Sequence, residues 1–95
     1  MKVHDLVVDG KKCQGFEIGL PNTTLVIITG SKGFLMCGYL DLAVAEKFGD
    51  CAAIIKGVKS VEDMLSGKVV SVTSFGNSAG IEIGMTGKMA LSKIV

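Results

Sequence analysis

The chain has 95 residues, one domain's worth, with no room for a second core. Ten Lys and Arg against nine Asp and Glu leave a net charge of +1, no basic run exceeds Lys11-Lys12, and four Phe and one Tyr make up the aromatics. That balance argues against nucleic acid or an anionic membrane as partner, because both need a concentrated basic face.

Residues 3–8 read as a strand, and Asp9-Gly10 follows as a tight hairpin turn. On the return, Phe16, Ile18 and Leu20 alternate with Gly15, Glu17 and Gly19, which predicts that the apolar set forms one buried face. Pro21-Asn22 breaks the run. Leu25 to Thr29 is β-branched and apolar throughout, the pattern of a central strand covered on both sides. It is far shorter than the roughly 20 residues of a membrane-spanning helix. Gly30-Ser31-Lys32-Gly33 turns the chain into a second arm, Phe34 to Cys37. The sequence lacks full phosphate-loop spacing here, so a hairpin turn with a solvated lysine is expected.

Asp41 is placed to cap a helix that carries Leu42, Ala45 and Phe48 on one stripe and stops at Gly49. Cys51 to Val58 returns to strand character. Ser60-Val61-Glu62-Asp63 has capping-box spacing and opens a short helix ending at Gly67. Val69 to Ser74 and Ile81 to Met85 read as a last strand pair joined by Phe75-Gly76-Asn77-Ser78-Ala79-Gly80. Thr86 caps a final helix that docks through Ala90, Leu91 and Ile94. The expected fold is α+β: one domain spanning 1–95, a mixed sheet of about six strands, and three short helices packed mainly on one face.

Several segments together resemble the YunC-like family, small bacterial and archaeal proteins grouped as a domain of unknown function. They are Met36-Cys37-Gly38-Tyr39-Leu40-Asp41, Gly57 through Leu65, Ser71-Val72-Thr73 and Gly80 through Leu91, with Leu20-Pro21 and the apolar strand after it. The resemblance implies a compact α+β domain in the cytoplasm and transfers no activity. The chain departs from the family pattern at the compact Lys47-Phe48-Gly49-Asp50-Cys51.

Cys37 is the most suggestive candidate. A thiol between a strand end and a helix start can be activated, with Asp41 nearby, and Gly38 would admit a ligand close to the backbone. Against this, free cysteine is among the most buried residue types, and Asp41 suffices as a simple cap. Asn77 and Ser78 in the small polar loop, and Thr86 with Lys88 at the last helix start, are candidate contacts for a small anionic ligand. Gly87 in that first turn is a poor helix former, which points to close packing or close approach.

His4 is the one histidine, and nothing places it near Cys37. Cys13, Cys37, Cys51 and His4 lack the close-set pairs of a structural zinc site, so no metal or other cofactor is expected. An odd number of cysteines without a signal-peptide core points to free thiols in the cytoplasm. Hydrophobic residues make up 48% of the chain and mean hydropathy is +0.53, more apolar material than a small monomer needs, so self-association is expected. The composition fits a homo-oligomeric ligand-binding or structural module. The alternative is a small enzyme or redox protein working through Cys37, supported by helix N-terminal donors and by Asp41 or a lysine such as Lys56. The first is favoured because no paired acid/base set is present.

Overall fold

Asp9 and Gly10 both take positive φ, 52° and 76°, the conformation a two-residue hairpin turn requires. They close β1 (Lys2–Val8) onto β2 (Lys11–Gly19) in the computed structural model, which describes residues 1–95. Four more strands follow: β3 (Thr24–Thr29), β4 (Phe34–Met36), β5 (Ala52–Ile55) and β6 (Val69–Val72). They form a single sheet in chain order, antiparallel throughout except for the parallel pair β4 and β5. Parallel neighbours need a crossover, and α1 (Leu42–Phe48) supplies it. The Gly30–Gly33 segment is a hairpin turn, closed by Gly30 N–H donating to Gly33 O at 2.8 Å.

Four helices form where three are expected: α1, α2 (Val61–Ser66), α3 (Ser74–Ser78) and α4 (Gly87–Ser92). The expected caps are in place. Asp41 accepts from Ala43 N–H at 2.9 Å, Ser60 Oγ from Asp63 N–H at 3.0 Å and Thr86 Oγ1 from Met89 N–H at 3.2 Å. Gly49, at φ 76°, ends α1 in the left-handed conformation. None of these helices is long and apolar enough to cross a membrane.

The main core lies between the sheet and the pair α2 and α4. Val26, Ile28, Leu35 and Ile55 meet Met64, Leu91 and Ile94 there, all fully buried. A smaller cluster on the opposite face packs Ala45 of α1 onto Met36, Ala52 and Ile54. With both faces of β5 covered, all four of its residues are buried.

Three local readings change. The buried face of β2 has the opposite phase to the expected one: Cys13 and Gly15 are buried, whereas Phe16 is half-buried and Ile18 is 38% exposed. Gly15 faces α2, where a Cβ would come within 2.6 Å of Val61 Cγ2, so the missing side chain sets how near the helix lies. β3 is likewise fully covered on one side only, since Val26 and Ile28 are buried but Ile27 is half-exposed. The third change concerns the expected last strand pair. Residues 75–80 belong largely to α3 and its exit, and Ile81 to Met85 is irregular, joined to the start of β6 where Gly84 N–H donates to Val69 O and Val69 N–H to Met85 O, with a single bridge from Lys68 to Thr86 just beyond. The cause is hydrogen bonding. Thr73 Oγ1 accepts from Gly76 N–H at 3.0 Å, and the Glu46 carboxylate of α1 accepts from Ser74 N–H and Oγ at 2.8 Å each, which together start a helix.

Candidate functional site

Because β4 and β5 run parallel, the loops that leave them emerge side by side at one end of the sheet. Ligands in open sheets are commonly seated beyond the carboxyl ends of parallel strands, where such loops part. Here Cys37-Gly38-Tyr39 and Lys56-Gly57-Val58-Lys59, with Thr23 and Thr24 where β3 begins, line a cleft of about 350 Å³. Gly57, at φ 75°, reverses the second loop. A Cβ at Gly38 would lie 3.4 Å from Lys56 Cγ and 4.0 Å from Cε, so the lysine stem lies across the end of β4.

Cys37 borders the cleft but is only 4% exposed and belongs to the main core. Its N–H donates to Val26 O at 3.1 Å, and its Sγ accepts from Val26 N–H at 3.4 Å. This geometry supports the reading of Cys37 as a small buried hydrophobe continuing a strand. Asp41 is engaged as the α1 cap, and no hydrogen bond joins it to Cys37.

The remaining sequence candidates lie elsewhere. Asn77 Nδ2 donates to Ile81 O at 3.2 Å, fastening the exit of α3, and Ser78 is exposed on the same helix. Thr86 caps α4, with Lys88 exposed two residues on, and the intervening Gly87 N–H donates to Gly67 O. Of the candidates, only Cys37 and Gly38 come together in one cleft. Lys59, Tyr39, Thr23 and Thr24 join them there without having been singled out from the sequence, although two lysines flanking a Gly-containing strand exit were a readable signal. Cys13, Cys37 and Cys51 are free thiols, and burial raises those of Cys13 and Cys51 above the ordinary thiol range.

The start of α2, beside this cleft, already holds a carboxylate. Glu17 Oε2, on the helix-covered face of β2, accepts from Val61 N–H at 2.7 Å, and His4 Nε2 lies 3.3 Å away. The Val61 N–H bond holds the Glu17 carboxyl below the usual carboxylate range, burial opposes it, and His4 and Lys2 add smaller lowering effects. A carboxyl lowered on folding contributes stability that is present above its unfolded pKa, about 4.3, and is lost as pH falls through the lower folded value. Glu17→Gln should therefore cost about 1–2 kcal/mol at pH 7 by urea unfolding. The gap to wild type should shrink below about pH 4. A gap that persists unchanged at pH 3 would contradict this.

Comparison with known proteins agrees with the fold and names no chemistry. The family model described as a domain of unknown function (DUF1805) matches residues 36–94. The uncharacterized protein YunC of Bacillus subtilis (strain 168) is 31% identical over 94 residues, covering 95% of this chain and 93% of its own. A crystal structure of a Thermoplasma acidophilum protein of unknown function superposes with a TM-score of 0.94 at 37% identity, over 99% of this chain and 92% of that one. With the fold match and both sequence matches in agreement, the chain belongs to the YunC-like family, the domain of unknown function DUF1805.

Proposed function

We propose that this chain is a homo-oligomeric binding module of the cytoplasm that self-associates through the sheet face left open beside α1. The observation carrying this reading is a row of apolar side chains that no helix covers. Val3 pairs with Phe16, and Phe16 pairs with Ile27, so the three stand side by side across β1, β2 and β3. Val3 is 50% exposed, and Ile18 flanks the row. The next row is polar, with Gln14 Nε2 donating to Asp5 Oδ1, so an apolar centre meets a polar rim, the anatomy of a protein interface. A second copy fits such a surface because the apolar centre is self-complementary under two-fold symmetry. The free thiols are in keeping with a reducing compartment.

Sedimentation at micromolar concentration should give a species heavier than the 9.9 kDa chain. Val3→Lys with Ile18→Lys, both at exposed positions, should return it to a monomer with an unchanged circular dichroism spectrum. A wild-type monomer, or a double variant of undiminished mass, would sink the assignment.

A further inference from the structure

The cleft between the β4 and β5 exits combines three properties. It holds two ammonium groups, Lys56 and Lys59, and no carboxylate among its nine lining residues. Neither lysine has an ion-pair partner, since no carboxylate oxygen lies within 4.0 Å of either ammonium. Asp63, four residues past Lys59, is turned onto the Lys59 backbone N–H at 3.0 Å, and Glu17 in the adjoining hollow is committed to Val61.

The backbone supplies the second property. The N–H groups of Gly38, Tyr39, Lys56 and Gly57 have no acceptor anywhere in the chain. Backbone donors on two adjoining turns beside paired cations form the kind of concavity that holds an oxyanion. The third property is room. The volume lies within the range of small-molecule sites, and Thr23, Thr24 and Tyr39 complete the lining beside the buried Cys37.

We infer that this cleft binds the phosphate group of a small phosphorylated metabolite, with Lys56, Lys59 and the free amides of the Gly38 and Gly57 turns as its donors. A dianion is favoured over a monocarboxylate because two unpaired lysines face one hollow. Lysine serves as a point charge for phosphate rather than as a planar fork for carboxylate. The inference rests on the reading of the chain as a binding module but not on its self-association.

The test is titration of the full 15N-labelled chain with inorganic phosphate and, separately, with a short alkyl phosphate, at constant ionic strength set with chloride. Saturable amide shifts confined to residues 38–39 and 56–59 are expected. Lys56→Met with Lys59→Met should weaken binding at least about tenfold, whereas Lys32→Met, in the β3–β4 turn, should leave it unchanged. Both lysines of the cleft are exposed, so the double variant should keep the wild-type thermal midpoint. Tighter binding of the alkyl phosphate assigns the rest of the cavity to the organic part, and equal binding assigns free phosphate as the ligand. Shifts that spread over lysines across the surface, or a double variant that binds as wild type does, would overturn the site. Because binding is read at these amides, a monomer in sedimentation leaves this result interpretable.

Discussion

Gly87→Ala should lower stability by about 3–5 kcal/mol, even though alanine is the better helix former by about 1 kcal/mol. Gly87 opens α4 directly over the end of α2. Its N–H donates to Gly67 O at 2.8 Å, and an added Cβ would overlap Met64 O. The same Cβ would sit 2.8 Å from the Met64 carbonyl carbon and 3.0 Å from Ile55 Cδ1. The obstacle is backbone, held in a helix whose Met64 is fully buried, so it cannot swing aside as a flexible side chain would. Relief requires prising α4 off α2, and that opens the main core. For a domain of this size the thermal midpoint should fall by roughly 15 °C or more. Gly19→Ala, where a Cβ meets nothing within 4 Å, is the control and should stay within about 0.5 kcal/mol of wild type. If Gly87→Ala proved neutral or stabilising in urea unfolding, propensity would have won and the α2–α4 packing described above would be wrong.

The second large effect is expected at Thr73, the one buried polar side chain in the chain, with no exposed surface. Its hydroxyl donates to Asp50 O at 2.7 Å and accepts from Ala52 N–H at 3.1 Å and Gly76 N–H at 3.0 Å. One oxygen thus ties the entry of β5 to the start of α3. Thr73→Val keeps the volume and strands two amide donors and a carbonyl, each costing about 1–3 kcal/mol when buried without a partner. Because water can reach part of this rim, the net loss should be about 2–4 kcal/mol, read as a lower urea midpoint with an unchanged slope. Thr73→Ser should recover most of it, since the hydroxyl remains. A loss below about 1 kcal/mol in Thr73→Val would mean that these three bonds are replaced by solvent.

These two positions differ in how far the sequence pointed to them. Gly87 was conspicuous as a glycine in a helical first turn, so close approach was readable, although the partner, Met64 O, was not. Thr73 looked like the tail of a strand. Its role needs Asp50 and Ala52 brought beside it, which only the β5–β6 pairing does. The candidate site divides in the same way. Cys37 and Gly38 stood out locally, but the second wall of the cleft comes from a loop about twenty residues later, placed there because β4 and β5 run parallel.

What the chain alone determined is everything that depends on near neighbours. Hairpin turns follow from residues that tolerate positive φ, helix starts from side chains that reach an amide two or three residues on, and strands from short β-branched runs. What the tertiary structure decided is which face of each strand is covered and which distant group completes a helix end. Phe16 and Ile18 lie on the open face because α2 packs where Gly15 leaves space. Glu17 and Glu46 cap helices that begin 44 and 28 residues further along the chain. Alternation tells a strand that it has two faces. Only the helices that settle on the sheet determine which of the two becomes the core.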